Sequence, residues 1–224
     1  LTSTSGAGIS LMNEFLGLAY YAEIPAVFVN VMRTGPSTGM PTRTQQGDLF
    51  STIYASHGDT AHIALFPAHP GECFTMAKDM FDIAERFQTP TFLISDLDIG
   101  MNDWMVDRFT WDDSYQPDRG KVLTAKDLEE IEAFYRYLDV DGDGITYRTL
   151  PGVHPKGAYF TRGSGHDKYG RYTEDSAAYQ EVVDRLKRKV QSAADAVPQP
   201  WFDRQEGAEF GIVTVGGCDG AVRE

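Results

Sequence analysis

The feature that most constrains the fold is a series of short apolar segments that alternate with stretches of helical periodicity. Residues 26–32 are apolar at nearly every position, and residues 91–95 have three consecutive apolar residues at their centre. Such segments are typical of strands covered on both faces of a parallel sheet. A shorter apolar segment at residues 62–66 precedes a stretch, from Pro70 to about residue 87, whose apolar residues recur at helical spacing. This alternation predicts an α/β fold with a mostly parallel sheet covered by helices.

The rest of the chain adds helices and one region of a different kind. Residues 1–8 indicate a strand that runs into a Gly-rich turn, and the apolar residues of 9–22 recur at helical spacing. The region from about 96 to 170 is rich in Asp, Gly and Tyr, so we interpret it as an irregular excursion from the sheet, with one helix at 125–138. A further helix is predicted at 175–196.

The distribution of these elements predicts one domain followed by the start of another. We expect the first domain to span residues 1–197 and a Pro-containing linker to occupy residues 198–208. Residues 210–217 indicate a buried strand with its turn and residues 219–224 the first turn of a helix, so 209–224 would begin a second α/β domain. The chain also begins without Met. We therefore expect a fragment of a larger subunit, with a first domain that is incomplete at its N-terminus.

Composition excludes several classes of protein. A formal net charge of −13 argues against a nucleic-acid partner, because phosphate binding needs a basic face. No apolar run approaches the roughly 18 residues of a membrane helix, and no secretory leader is visible. The two cysteines, Cys73 and Cys218, lie too far apart for a disulfide framework or a cysteine-rich metal site. We expect a cytoplasmic chain with neither a nucleic-acid nor a membrane partner, and we interpret both thiols as core residues.

The most informative segment is the loop that follows the second predicted strand. Residues 33–42 are RTGPSTGMPT, which combines one cation, several hydroxyls and the turn residues Gly and Pro. Arg33 presents a planar fork of donors that matches a carboxylate or phosphate, while Ser37, Thr38 and Thr42 can bind the remaining lone pairs. In open parallel sheets, ligands lie beyond the carboxyl ends of the strands. We predict an anion-binding loop here, and the alternative is an ordinary tight loop with a solvated arginine.

A second candidate site is the start of the first helix. Residues 4–8 are TSGAG, and the free N–H groups of a helix N-terminus attract anions and polar ligands. Ser5 and Gly6 are the candidate binding residues. The segment fits neither GxGxxG nor a P-loop, so a close-packed turn is an equal alternative.

An acidic loop and a basic run are interpreted as solvated surface. Asp139, Asp141 and Asp143 alternate ahead of a Gly, as in the first half of a calcium-binding loop. Leu150 occupies the twelfth position, where such a loop needs a bidentate Glu. We therefore favour a solvated acidic turn over a divalent-ion site, and we interpret the basic residues 187–189 as one solvated helix face.

The Arg33 loop also resembles a known family. Residues 33–42, followed by Gln45, Gln46, Asp48 and Leu49, are similar to the alpha subunit of 2-oxoglutarate:ferredoxin oxidoreductase, in the thiamine diphosphate-dependent 2-oxoacid:ferredoxin oxidoreductase family. Further similar segments are residues 4–12, 97–102, 118–123, 139–144 and 147–149. The resemblance covers nearly the whole chain, although the family more often has Pro where this chain has Ala7.

The resemblance implies a fold and a reaction. The chain would be the pyrimidine-binding domain of an enzyme that binds thiamine diphosphate between subunits, while a beta subunit holds the diphosphate, Mg²⁺ and an iron–sulfur cluster. The enzyme would decarboxylate 2-oxoglutarate oxidatively, pass electrons to ferredoxin and transfer the acyl group to coenzyme A as succinyl-CoA. Arg33 and Thr42 match the positions that bind the 2-oxoacid carboxylate. Ser5 and Gly6 match the segment near the aminopyrimidine.

The resemblance leaves parts of the function open. The catalytic Glu of the family lies upstream of the segment matched by residues 4–8, so no catalytic residue is assigned in this chain and the fragment alone is expected to be inactive. Pyruvate or a branched-chain 2-oxoacid is an alternative substrate. A non-catalytic scaffold in a heteromeric complex is a second alternative, and a calcium-binding module at the acidic loop is a third.

Overall fold

A four-stranded parallel sheet forms the centre of the computed structural model, which describes residues 1–224. Its strands are β1 (Thr2–Thr4), β2 (Ala26–Met32), β3 (Ile63–Leu65) and β4 (Pro90–Asp96), in the spatial order β1-β2-β4-β3. All three neighbouring pairs are parallel. The predicted α/β fold with a helix-covered parallel sheet is confirmed.

Eight helices accompany the sheet. They are α1 (Gly6–Leu11), α2 (Asn13–Tyr21), α3 (Leu49–Ile53), α4 (Pro70–Phe87), α5 (Leu97–Met101), α6 (Ala125–Glu130), α7 (Ser176–Ser192) and α8 (Asp219–Arg223). Helix α4 has the predicted bounds, because Pro70 suits a first helical turn and Gln88 ends the helix in a left-handed conformation with φ of 48°. The single helix predicted at 9–22 is instead two helices, with a break at Met12.

The two faces of the sheet pack into separate parts of the core. On one face, Val27 and Leu93 contact a cluster that includes Met80 and Phe87 of α4. On the other face, Phe28 of β2 lies beside Phe92 of β4 with ring centroids 5.4 Å apart, in a cluster that includes Ile9 and Leu16. Successive strand residues point to opposite faces of the sheet. The almost continuous apolar run of β2 therefore packs against helices on both faces.

The helix predicted at 125–138 is wrong beyond Glu130. Ile131 has an extended backbone, and the chain then turns to bury Arg136. Its guanidinium donates to the hydroxyl of Thr146 at 2.6 Å and to the carbonyl of Glu23 at 2.8 Å. A regular helix is interrupted here because the excursion docks on the end of α2 through this arginine.

The basic run at residues 187–189 is not one solvated face. Lys187 and Arg188 are exposed, but Lys189 is fully buried. Its ammonium donates to the carboxylate of Glu23 at 2.8 Å and to the carbonyl of Gln88 at 3.2 Å. The earlier interpretation is wrong for Lys189 because a charged partner on a distant segment compensates its burial.

The strand predicted from Phe210 does not form. The side chains of Phe210, Ile212 and Val213 are 90%, 79% and 95% exposed, and no neighbouring segment offers a hydrogen-bonding partner, without which an extended apolar segment is not a strand. Cys218 follows and is exposed, so its predicted place in the core is also wrong, while Cys73 is half-buried. No helix of the chain combines the length and the apolar character needed to cross a bilayer. The domain limits at residues 197 and 208 stay predictions.

Candidate functional site

Three polar residues follow or end strands at one edge of the sheet. Ser5 comes directly after β1, Arg33 directly after β2, and Asp96 is the last residue of β4. These strands are parallel neighbours, so their carboxyl ends lie at the same edge, where open α/β sheets bind ligands. The fold therefore places the predicted anion-binding loop and the predicted helix start on the same side of the molecule.

The loop after β2 folds back on itself. The N–H of Thr34 donates to the carbonyl of Arg43 at 2.9 Å, and the N–H of Met40 donates to the carbonyl of Thr34 at 3.0 Å. Arg33 and Thr42 each lie one residue from the contact between Thr34 and Arg43. The two residues predicted to bind a carboxylate are therefore brought to the same end of the loop.

The tip of the loop carries hydroxyls that the fold does not use. Ser37, Thr38 and Thr42 are exposed, and none of their hydroxyls forms a hydrogen bond within the chain. Gly39 has a φ of 55°, and a Cβ there would lie 1.8 Å from the carbonyl oxygen of Thr34, so this turn requires glycine. The loop thus presents three free hydroxyls, and its turn can form only with glycine at position 39.

Arg33 and Asp48 each keep a buried polar atom without a partner. The Nε of Arg33 and the Oδ2 of Asp48 are both buried and neither forms a hydrogen bond. Burial raises the pKa of the Asp48 carboxyl above its ordinary value, while Asn30, the N–H of Gly6 and the charge of Arg33 act in the opposite direction. A buried donor and a buried acceptor with no partner in the protein are typical of a site that completes its hydrogen bonds with a ligand.

Gly6 lets the Asp48 carboxylate approach the start of α1. A Cβ on Gly6 would lie 2.3 Å from Oδ1 of Asp48, closer than any side chain tolerates. Ser5, which precedes the helix, is 9% exposed, and its hydroxyl does not cap the helix. Ser5 and Gly6 therefore lie beside the base of the Arg33 loop, as two parts of one polar region.

The base of the loop is tied to the end of β4. The side-chain amide of Gln46 donates to Oδ2 of Asp96 at 3.2 Å and to the carbonyl of Val215 at 2.7 Å. The same oxygen of Asp96 accepts from the N–H of Gly217 at 3.1 Å, while its Oδ1 accepts from Ile99 at the start of α5. Asp96 thereby joins the loop, α5 and the segment before α8 through one buried carboxylate.

The acidic loop belongs to another part of the molecule and already has a cation. The ammonium of Lys121 donates to Asp141 at 2.6 Å, to Asp143 at 2.9 Å and to the carbonyl of Ile145 at 3.0 Å. Asp139 accepts the backbone N–H groups of residues 142 and 144. The exposed carboxylates of Asp141 and Asp143 agree with the predicted solvated acidic turn, and Lys121 adds a cation that pairs with both of them. No group of three or more potential metal ligands is present in the chain.

Sequence reasoning did not assign Asp48, Gln46 or Asp96 to the site. Asp96 could have been suspected, since it ends a buried strand at the ligand-binding edge of the sheet. Asp48 gave no local signal, because its contact with Gly6 exists only when β1 and β2 are paired. Gln46 and Asp48 were both part of the resemblance, but neither carried an assigned role.

Comparison with a family of known proteins agrees with this arrangement. Residues 1–106 match the family described as "Pyruvate flavodoxin/ferredoxin oxidoreductase, thiamine diP-bdg". These residues include the whole sheet, the Arg33 loop and the start of α1. The matched residues thus form an α/β unit that is similar to a domain described as thiamine diphosphate-binding.

Individual relatives identify the subunit that the chain resembles. The 2-oxoacid:ferredoxin oxidoreductase 2, subunit alpha, of Aeropyrum pernix is 39% identical over 198 residues, which are 88% of this chain and 30% of that subunit. The 2-oxoglutarate synthase subunit KorA of Methanocaldococcus jannaschii is 30% identical over 219 residues, which are 96% of this chain and 56% of that subunit. The resemblance to the alpha subunits of this family is confirmed.

A solved structure supports the same conclusion. The 2-oxoglutarate:ferredoxin oxidoreductase from Magnetococcus marinus, with 2-oxoglutarate, coenzyme A and succinyl-CoA bound, matches this chain with a TM-score of 0.79 and 30% sequence identity. The match covers 99% of this chain and 38% of that chain. The present chain thus spans about a third to a little over half the length of these relatives.

The polar region at the sheet edge has several donors and acceptors that the fold does not use. The unused hydroxyl of Ser5, the close backbone approach at Gly6 and the unpartnered atoms of Arg33 and Asp48 all lie in this region. Together they offer donors and acceptors of both charges, as binding of a heteroaromatic amine and a carboxylate requires.

Proposed function

We propose that this chain is the pyrimidine-binding part of the alpha subunit of a 2-oxoacid:ferredoxin oxidoreductase that acts on 2-oxoglutarate. The observation that carries the proposal is the guanidinium of Arg33, which lies at the carboxyl edge of the sheet with a buried Nε that no group of the chain uses. The reaction would be oxidative decarboxylation of 2-oxoglutarate to succinyl-CoA, with electron transfer to ferredoxin. A cytoplasmic location is part of the proposal.

The residues of the Arg33 loop would bind the carboxylate next to the oxo group. Arg33 is suited to bind it through two parallel N–H groups, which fixes the plane of the carboxylate as well as its position. Thr42 lies at the same end of the loop and would donate its free hydroxyl to the substrate. Ser37 and Thr38 at the tip would supply further hydroxyls, since none of these groups is used by the fold.

The start of α1 would face the cofactor. The chemistry that thiamine diphosphate supplies when bound is stabilisation of the negative charge left by decarboxylation. Ser5 would contribute a hydroxyl near the aminopyrimidine. Gly6, whose missing side chain leaves room for the Asp48 carboxylate, would lie beside the same ring. The diphosphate, Mg²⁺ and an iron–sulfur cluster would be held by the beta subunit, with coenzyme A and ferredoxin as further reactants.

The choice of 2-oxoglutarate rests on the relatives. The Magnetococcus marinus structure has 2-oxoglutarate bound, and the Methanocaldococcus jannaschii subunit is named for the same substrate, whereas the Aeropyrum pernix subunit is named only for 2-oxoacids. Arg33 recognises only the carboxylate that all 2-oxoacids share. Discrimination between 2-oxoglutarate and pyruvate would therefore need a second cation for the distal carboxylate.

The test uses the native complex that contains this chain, purified without oxygen. Coenzyme A-dependent reduction of a low-potential acceptor is followed with 2-oxoglutarate, pyruvate and a branched-chain 2-oxoacid in parallel. We expect activity with 2-oxoglutarate and little with the other two substrates. Omission of coenzyme A serves as the control, since acyl transfer to coenzyme A completes the reaction.

The other outcomes separate the alternatives. Activity with pyruvate instead would keep the reaction class and overturn the substrate. No reduction with any 2-oxoacid, in a complex that contains thiamine diphosphate, would favour a non-catalytic scaffold role for the chain.

A further inference from the structure

We propose that Gln46 and Asp96 are positioning residues that hold the Arg33 loop in the conformation that binds the substrate carboxylate. They do so together with residues 214–217, the stretch before α8, which we call the anchor segment. The inference rests on the proposed function, because it concerns the same substrate site. It gives that site a supporting segment that lies far along the chain from the loop itself.

The two halves of the Arg33 loop are bound to each other beside the arginine. The N–H of Thr34 donates to the carbonyl of Arg43 at 2.9 Å. The hydroxyl of Thr34 lies 3.2 Å from the same carbonyl oxygen and 3.3 Å from that of Thr44. The backbone next to the arginine is therefore placed by the returning half of the loop, residues 40–46.

One side chain binds the returning half to the rest of the chain. Of residues 36–46, only Gln46 forms hydrogen bonds with residues outside the loop. Its amide nitrogen carries two hydrogens and donates to Oδ2 of Asp96 at 3.2 Å and to the carbonyl of Val215 at 2.7 Å. Loss of this one amide would therefore free the returning half of the loop.

Asp96 provides a rigid point of attachment. It ends β4, an interior strand of the sheet, and is only 1% exposed. Its Oδ1 accepts the N–H of Ile99 at 3.2 Å, and its Oδ2 accepts the N–H of Gly217 at 3.1 Å. Hydrogen bonds to a carboxylate are stronger than those between neutral groups, so the loop and the anchor segment are both bound firmly to the same oxygen.

The anchor segment reaches this oxygen because it carries a glycine. Gly216 has a φ of 65°, and a Cβ there would lie 3.0 Å from Oδ2 of Asp96 and 3.1 Å from Nε2 of Gln46. A side chain at this position would be strained and would press on both positioning residues. By contrast, a Cβ at Gly211, five residues earlier, would meet no atom within 4 Å.

These contacts make the anchor segment part of the substrate site without a direct contact to the substrate. The returning half of the loop includes Thr42 and sets the backbone beside Arg33. If it were free, the substrate would have to order the loop on each binding event, and that ordering reduces affinity. The loss would affect the ground state and the transition state alike, so it would raise KM and leave kcat nearly unchanged.

The first test measures whether the anchor holds the loop. Gln46→Met keeps the length of the side chain and removes both hydrogen bonds. Amide hydrogen exchange, followed by mass spectrometry in the native complex, reports on peptides that cover residues 33–46. We expect exchange there to become about tenfold faster, since local opening is governed by the hydrogen bonds that are lost. Gln191→Met is the matched control, because the Gln191 side chain is exposed on α7, and it should leave this exchange unchanged.

The second test measures whether binding depends on the anchor. Calorimetric titration of the native complex with oxalylglycine, a 2-oxoglutarate analogue, should give a Kd about tenfold higher for Gln46→Met and for Gly216→Ala. The KM for 2-oxoglutarate should rise to the same extent while kcat changes little. Gly211→Ala is the control on the same stretch of chain and should bind like wild type. If Gly216→Ala does not fold, Gln46→Leu is measured with the same expectation.

A double-mutant cycle tests whether Gln46 and the anchor segment act as one unit. Gln46→Met should add little to the effect of Gly216→Ala, because coupled residues are not additive. Fully additive effects would overturn the proposal, and so would an unchanged Kd or unchanged exchange in the folded variants. A tenfold loss in kcat at constant KM would overturn it as well. Failure of the wild-type complex to bind oxalylglycine or to turn over would instead contradict the proposed function, and the exchange rates would then still decide whether the anchor segment holds the loop.

Discussion

The ammonium of Lys189 lies 2.8 Å from the carboxylate of Glu23, and neither side chain is exposed to solvent. The same carboxylate accepts from Arg185 at 2.6 and 3.1 Å, while Arg136 donates to the backbone carbonyl of Glu23. The carboxylate of Glu23, which follows α2, thus binds two cations of α7. The backbone carbonyl of the same residue binds a third cation, which belongs to the excursion. This cluster attaches the excursion and α7 to the sheet that carries the Arg33 loop.

Glu23→Gln is expected to destabilise the protein by about 3–5 kcal/mol. Removal of the single anion leaves Arg185 and Lys189 buried as cations without compensation, which costs more than the ion pairs themselves contribute. The free energy of unfolding, from urea denaturation followed by circular dichroism, measures the effect.

Lys189→Met is the matched variant for this change. Glu23 keeps its paired contact with Arg185, and methionine fills most of the space of the lysine chain, so we expect a loss of only about 1–2 kcal/mol. Equal losses for the two variants would show that the anion has no special role in the cluster.

The Glu23 cluster also predicts that the free energy of unfolding falls at acidic pH. Burial alone would raise the pKa of the Glu23 carboxyl, but Lys189 and Arg185 outweigh burial and hold that pKa well below its ordinary value. The unfolded chain therefore takes up this proton at a higher pH, near ~4.3, than the folded chain does. The stabilisation by Glu23 is present above that pH and is lost as the pH falls further.

Glu23→Gln removes this titration and provides the comparison. The difference in unfolding free energy between wild type and Glu23→Gln should shrink as the pH falls below about pH 4, because the Glu23 carboxyl becomes neutral in the unfolded and then in the folded chain. Urea denaturation at a series of pH values measures it. A difference that does not change with pH would show that Glu23 is not ionised in the folded protein.

The cluster also shows why part of the fold was predictable and part was not. Helix α4 was predicted at its observed bounds because its apolar stripe, its first-turn proline and its C-terminal limit are all local signals. Lys189 carries no such signal, since a lysine in a basic run has the same pattern whether it is solvated or buried. Its partner Glu23 lies 166 positions away, and only the packing of α7 on the end of α2 brings them together.

The residues of the candidate site also differ in whether the sequence alone could point to them. Arg33, Thr42 and the neighbouring hydroxyls could be proposed from the sequence because they occupy one short segment after a buried strand, and their role stays a prediction. Asp48 was not, because its contact with Gly6 depends on the pairing of β1 with β2. The strand predicted at Phe210 fails for a related reason: its apolar residues satisfy the local pattern, but a strand also needs a neighbour to bond with.

Gly6→Ala is expected to destabilise the protein by about 1–3 kcal/mol, because the new methyl group would overlap the carboxylate of Asp48 and one of them must move. The Cβ would lie 2.3 Å from Oδ1 of Asp48. Gly58→Ala is the control, since a Cβ at Gly58 meets no atom within 4 Å. Urea denaturation compares both variants with wild type, and equal stabilities would argue against the close approach at Gly6.

Arg33→Ala should remove about 2–4 kcal/mol of transition-state binding, because the proposed charge-assisted, bidentate contact with the 2-oxoacid carboxylate would be lost. The quantity to measure is kcat/KM for 2-oxoglutarate in the native complex. Thr42→Val, which removes a single hydroxyl and keeps the shape of the side chain, should raise KM more than it lowers kcat. Unfolding of both variants is followed as a control, and since the side chain of Thr42 is exposed, the stability of Thr42→Val should match that of wild type. An unchanged kcat/KM in Arg33→Ala would exclude Arg33 as the carboxylate-binding residue, and a fall in kcat alone for Thr42→Val would assign its hydroxyl to the chemical step instead of to binding.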